Sequence, residues 1–134
     1  MRIAFSTKSM TDVDAHFGGA RTIAIYEVSK DSQRFLEALQ FDNVADEDGN
    51  HDDSVDRLGA KIDALQGCAM LFTLAIGGPA AARVVSRKIH PVKLPRAEPI
   101  ADVITRLQDT LAGTPPPWMR RLLAGQDDAS FMED

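Results

Sequence analysis

A chain of 134 residues has the size of one ordinary domain and is long enough to bury a hydrophobic core. Its 44% apolar and 26% charged residues are those of a globular protein, not of a disordered or fibrous one. The 15 Lys and Arg against 20 Asp and Glu leave a net charge of -5, which argues against general nucleic-acid binding, because that affinity comes from cations neutralising phosphates.

The first predicted element is a short apolar strand over Ile3–Ser6. Strand-like sequence at the start, without a signal-peptide apolar region, points to the cytoplasm. No apolar run approaches the roughly 20 residues that cross a bilayer, so no membrane association is expected. A polar segment from Lys8 to Gly19 ends in two glycines and is long enough to be a functional loop. Thr22–Val28 is rich in β-branched and aromatic residues and reads as a second strand. Residues 33–41 fit either an alternating strand or a helix face. The four-residue turn Ser29–Ser32 before them favours a strand and a hairpin.

Asp42 to Asp53 forms an acidic loop whose last residue can cap a helix striped by Val55, Leu58, Ile62 and Leu65 and ended by Gly67. Ala69–Ala75 is continuously apolar, as expected of a central strand covered on both faces. Gly77-Gly78-Pro79 opens a second helix, with proline at the first turn, where a missing N–H costs nothing. Ile89–Leu94 is a further strand. Ile100, Val103, Ile104, Leu107 and Leu111 stripe a third helix that Gly113 terminates.

The order is strand, strand, strand, helix, strand, helix, strand, helix (βββαβαβα). Two hairpin connections followed by two crossovers imply an α/β domain of three layers, a mixed five-stranded sheet flanked by helices, over residues 1–113. Residues 114–134 read as a proline-rich linker, a short amphipathic segment and an acidic end expected to be disordered. Pro115-Pro116-Pro117 cannot continue a helix and favours an extended chain that projects away. Past it, Trp118, Met119, Leu122 and Leu123 make one apolar face opposite Arg120 and Arg121. Such a segment either packs back on its own domain or, in the sharper reading, docks on another subunit or protein, as an anchoring Trp beside Arg suggests.

Two segments carry chemistry. In Asp12-Val13-Asp14-Ala15-His16-Phe17-Gly18-Gly19-Ala20-Arg21, a histidine follows a buried strand beside glycines that let backbone approach a ligand. It is a candidate metal or cluster ligand, the plain alternative being a solvated loop histidine. In Leu74 to Arg83, Gly77 and Gly78 lie between a buried strand and a helix, where exposed N–H groups and the helix dipole suit an anion. A tight turn between packed elements explains them equally well. If the two preceding strands are adjacent and parallel, both loops open on one crevice, where His16 and helix-end N–H groups with Arg21 or Arg83 would suit a polyanionic cluster.

These residues carry a resemblance. Asp14-Ala15-His16-Phe17-Gly18 with Ala20-Arg21 is similar to a motif of the nitrogenase iron–molybdenum cofactor biosynthesis family. So are Gly67-Cys68, Ala75 to Val85, Lys88 to Lys93 and the Pro-Pro-Pro-Trp run, and the likeness spans most of residues 1–123. It implies an RNase H-like fold and a carrier, not an enzyme, that binds the iron–molybdenum cofactor or its iron–sulfur precursor. The implied partners are nitrogenase cofactor assembly proteins of the NifB and NifEN-scaffold type, with weak self-association open. The implied direct ligand is His16. The wider binding set is His16, Phe17, Gly18, Gly19, Arg21, Gly77, Gly78 and Arg83.

Cys68 invites attention because thiolates hold iron–sulfur clusters. It sits at the amino end of its strand, however, and about six residues at roughly 3.3 Å each set it on the order of 20 Å from the crevice. A buried structural thiol is expected. His90 lies at the same wrong end. His51, among Asp46, Glu47, Asp48, Asp52 and Asp53, reads as part of a solvated acidic loop before a divalent-cation site. An RNase H-like hydrolase would need converging carboxylates on two metals, and neither Arg2–Ser6 nor the apolar strand after Gly67 holds one. The remaining alternative is a regulatory interaction module that binds no cluster.

Overall fold

Strand β1 (Arg2–Thr7) is buried from Ile3 to Thr7 because it stands in the middle of the sheet with helices on both faces. The computed structural model describes residues 1–41 and 51–123, and from 51 to 57 the backbone alone. In chain order β1 is followed by β2 (Asp12–Val13), β3 (Thr22–Val28), β4 (Gln33–Gln40), α1 (His51–Ala64), β5 (Cys68–Thr73), α2 (Gly78–Ser86), β6 (His90–Lys93), β7 (Glu98–Pro99) and α3 (Ile100–Ala112). A last helical segment, α4, runs through 117–123.

The main sheet has the order β4-β3-β1-β5-β6. β3 runs antiparallel to both β1 and β4, whereas β5 is parallel to β1 and β6 is parallel to β5. Alternation along the central strands sends Ile3, Phe5, Met70 and Phe72 toward α3 and α4, where they meet Val103, Ile104, Leu107 and Met119. Ala4, Ile23, Ile25 and Leu71 face the other way, onto Ile62 of α1, Leu65 just past its end, and Ala80 and Val84 of α2. Two covered faces explain why β5 shows no polar alternation and is buried at every position.

The expected mixed five-stranded sheet is therefore present, with differences at its margins. The ambiguous 33–41 run is a strand, paired to β3 through a hairpin in which Val28 stands opposite Gln33. Helix α1 begins at His51, so Asp53, expected as its cap, falls inside it. The two-residue strands β2 and β7 pair with each other, an element too short to leave a hydrophobic period in the sequence. The acidic 42–50 loop and the acidic end beyond residue 123 lie outside the described residues.

Of the two readings for residues 118–123, the structure has the segment packed back on its own domain. α3 ends at Ala112 with Gly113 as its cap, and the three prolines after it lead back over the sheet, where the Pro116 carbonyl accepts from the N–H groups of Met119 and Arg120, both at 3.0 Å. Met119 is 3% exposed and belongs to the core under α3. The Trp118 ring stacks on His90 with centroids 3.9 Å apart. Trp118 and Leu122 are half-buried against the same core, so this face packs on the chain's own domain through Trp118, Met119 and Leu122. Among the described residues no helix is long and apolar enough to cross a membrane.

Candidate functional site

Because β1 and β5 are adjacent and parallel, the loops that leave their carboxyl ends emerge side by side. The chain passes from β1 to β3 on one side and from β5 to β6 on the other, so strand order reverses between them, the usual place for a ligand in an open α/β sheet. Two backbone bonds join the loops directly. The Phe17 N–H donates to the Ala75 carbonyl at 2.8 Å, and the Leu74 N–H donates to the Ala15 carbonyl at 3.1 Å.

The first loop is shaped by its own polar residues. The Thr7 hydroxyl donates to the Asp12 carbonyl at 2.6 Å and accepts from the Met10 N–H at 2.9 Å, which holds Met10 in the left-handed region at φ 68°. The Asp14 carboxylate accepts from the Lys8 N–H at 2.6 Å. Burial pushes the Asp14 carboxyl up, but hydrogen bonds from Lys8, Ser9 and Thr7 outweigh it and hold the group below its ordinary value. Next along the chain, the Ala15 carbonyl also takes a bond from the buried Thr73 hydroxyl at 3.1 Å.

Past His16 the backbone is held from below. Phe17 is fully buried in the core between the sheet and α1. Lys61 of α1 is 3% exposed, and its ammonium donates to the carbonyls of Phe17 at 3.0 Å, Gly18 at 3.2 Å and Ala20 at 2.8 Å. The rings of Phe17 and Phe41 flank it at 5.6 and 5.3 Å. Desolvation by burial lowers its pKa to about 8, so it remains protonated at neutral pH.

His16 itself is exposed, between Ala15 and Phe17, which are both buried and bonded. It lines an open depression of about 370 Å³ together with Lys8, Asp14, Ala15, Gly19 and Leu74. Gly18, Gly19, Gly77 and Gly78 are exposed, and a Cβ built on any of them would meet nothing within 4 Å. Their φ values are not positive, so neither backbone strain nor packing inside the protein explains these glycines. Arg21 lies at the same end of the sheet, just before β3.

Two expected site residues are placed elsewhere. Phe17 turns its side chain into the core and anchors the loop from beneath. Arg83 lies along α1, where a Cβ on Gly59 would come 3.1 Å from its guanidinium Nη2. Gly77 and Gly78 begin α2 two residues after the bonded Ala75, but they do not line the depression around His16. Conversely, Lys8 and Lys61 were not among the expected site residues. Lys61 left a trace in the sequence: three residues after Leu58 and four before Leu65, it is a cation inside the apolar stripe of its helix.

Cys68 pairs with Arg2 at the opposite end of β5, as the strand geometry requires. Burial pushes its thiol up to about 11, which leaves it an inert core group at neutral pH. His90 is engaged with Trp118, and the side chain of His51 lies outside the described residues. Among the described residues, no three His, Cys, Asp or Glu side chains gather in a metal-binding group.

A model of the dinitrogenase iron–molybdenum cofactor family matches residues 1–110. Protein NifX of Rhodobacter capsulatus is 46% identical over 134 residues, covering 100% of this chain and 84% of its own length. Protein NifX of Sinorhizobium fredii is 50% identical over 125 residues, covering 92% of this chain and 78% of its own. Among solved structures, PH0822 shares the fold with a TM-score of 0.62 at 20% identity, over 81% of this chain and 91% of that one. With its family model spanning most of its length and full-length relatives near one-half identity, the chain belongs to the dinitrogenase iron–molybdenum cofactor family, among the NifX-like proteins of nitrogenase cofactor biosynthesis.

Proposed function

We propose that the chain is a carrier that takes up the iron–molybdenum cofactor or its iron–sulfur precursor at the crevice between β1 and β5, and passes it between assembly proteins of the NifB and NifEN-scaffold type. The observation that carries this reading is the presentation of His16, an exposed imidazole on a backbone fixed on both sides. A ligand held this way spends little conformational freedom on binding. One imidazole nitrogen in an open depression also suits cargo that must leave again, where a full set of protein ligands would trap it. Lys8, Arg21 and the amino end of α2 supply positive potential at the same end of the sheet, which matches a polyanionic cluster. The open faces of Gly18, Gly19, Gly77 and Gly78 leave room for a bulky ligand to approach the main chain.

The carrier acts without catalysis: the carboxylate that shares the depression with His16, that of Asp14, is committed to the loop's own Lys8 N–H. The five main strands, counted along the chain, stand in the order 3-2-1-4-5 with only the second reversed, which supports the RNase H-like reading of the fold.

Anaerobic titration of the purified chain with isolated iron–molybdenum cofactor, and separately with its iron–sulfur precursor, tests the proposal. The carrier reading expects the cluster chromophore to co-elute with the protein for at least one of the two at near-stoichiometric loading. Flow-through of both clusters would leave the regulatory interaction module as the better account.

A further inference from the structure

Lys61 stands out in an otherwise conventional core. Lysine is almost never fully buried unless paired, and burying an ammonium is costly enough that an apolar side chain would serve α1 better at this place in its stripe. All of its described partners are main-chain carbonyls, those of Phe17, Gly18 and Ala20, and they use its three N–H donors completely. All three acceptors belong to the loop that begins at His16. Within that loop the only backbone bond is a long one, from the Ala20 N–H to the Phe17 carbonyl at 3.4 Å. The shape of residues 17–20 therefore depends on the lysine more than on the loop itself.

The direction of those carbonyls has a consequence. No peptide bond among the described residues is cis, and in a trans peptide the C=O of one residue and the N–H of the next point in opposite directions. Carbonyls of Phe17, Gly18 and Ala20 drawn inward to Lys61 turn the N–H groups of Gly18, Gly19 and Arg21 outward. Those three N–H groups have no backbone or side-chain acceptor among the described residues. Gly18, Gly19 and Arg21 are also exposed, and the two glycines carry no side chain to screen their N–H groups. Unpaired N–H groups exposed at a turn are available to an anion, and here the Ala20 N–H between them is the one turned back onto the Phe17 carbonyl.

We propose that Lys61 is the positioning residue of this loop: by gathering three carbonyls beneath it, it fixes His16 and aims the Gly18, Gly19 and Arg21 N–H groups at the sulfur-bearing, anionic surface of the cargo. The inference rests on the carrier reading for the nature of the cargo, but the loop geometry is testable without it. Lys61→Met keeps the length and apolar stem of the side chain and removes the donors. The experiment compares wild type, Lys61→Met and Lys61→Gln, the last keeping two N–H donors. It uses backbone amide NMR with tetrathiomolybdate as a small sulfur-bearing dianion, and anaerobic affinity for isolated iron–molybdenum cofactor.

In the wild type, tetrathiomolybdate should shift the amides of Gly18, Gly19 and Arg21 ahead of all others. Lys61→Met leaves buried carbonyls without a donor and should melt below the wild type while remaining folded; it should lose that selective response and bind the cofactor roughly 10- to 100-fold more weakly, the range for residues that orient a metal ligand. Lys61→Gln should fall between the two. A folded Lys61→Met that keeps the amide response and the wild-type affinity overturns the proposal. If Lys61→Met does not fold, Lys61→Gln and the wild-type amides decide, and dianion shifts lying outside residues 16–21 count against it. Failure of every variant and of the wild type to take up the cofactor would sink the carrier reading, while the amide response would still decide the role of Lys61.

Discussion

Replacing Met119 by Ala measures whether the C-terminal segment belongs to the core. Met119 is 3% exposed, packed among the side chains that join β5 and α3, and forms part of the floor of an open groove of about 330 Å³ lined also by Met70, Phe72, Leu107 and Trp118. Truncating a buried methionine to alanine costs about 2–5 kcal/mol, and because the site borders an open groove that solvent can enter, a value in the lower half of that range, about 3 kcal/mol, is expected. For a chain of 134 residues this corresponds to a fall in melting temperature of about 10 °C. Thermal unfolding followed by circular dichroism reads that shift. The emission of Trp118, the chain's one tryptophan, reports separately whether α4 detaches first. Val85→Ala, at a side chain 57% exposed, is the control and should stay within about 0.5 kcal/mol of the wild type. A Met119→Ala protein that melts within a degree or two of the wild type would refute the self-packed segment and restore the docking reading.

Other consequences follow from the same geometry. Cys68→Ser should bind cofactor as the wild type does, and the native thiol should resist a thiol reagent at pH 7 until the protein is unfolded, because it is buried with a pKa near 11; rapid native labelling would contradict this. Gly18→Ala should leave stability unchanged or raise it by about 0.4–1 kcal/mol while weakening cofactor binding. Gly67→Ala, at φ +94°, should cost about 1–2 kcal/mol without touching binding. For His90, burial lowers the pKa from 6.5, so the unfolded chain takes up its proton first. The stability this contributes is fully present above pH 6.5 and is lost as pH falls through the lower folded value; Trp118 emission should therefore change on acidification below 6.5, and should lose that response in His90→Phe.

The sheet was legible because β1, β3 and β5 are apolar runs bounded by turns and helices with clear stripes; that β1 and β5 are neighbours and parallel was only a condition in the sequence and is supplied by the structure. The place of the crevice came with it. What the sequence concealed depends on long-range partners. Lys61 interrupts an apolar stripe, which signals an exception but does not say that three carbonyls some 40 residues earlier will satisfy it. Phe17 sits between His16 and Gly18 in the motif, yet the loop turns alternate side chains in opposite directions, so a residue beside the ligand position became the anchor beneath it. Arg83 is one turn into α2, and its guanidinium lies against the small Gly59 across the helix interface, a neighbour that no local pattern reveals. The C-terminal segment misled for a related reason: an amphipathic face looks the same whether it meets another protein or its own sheet, and three prolines state that a helix ends without stating where the chain turns.

The central claim is that His16 is the protein's ligand to the cluster. Anaerobic titration of wild type and His16→Ala with the same preparation of iron–molybdenum cofactor, both first shown to be folded by thermal unfolding, tests it most directly. His16 is exposed and makes no described hydrogen bond, so the variant should match the wild type in stability within about 0.5 kcal/mol. The account predicts that it loses at least tenfold in affinity while remaining fully folded; an unchanged affinity would contradict it.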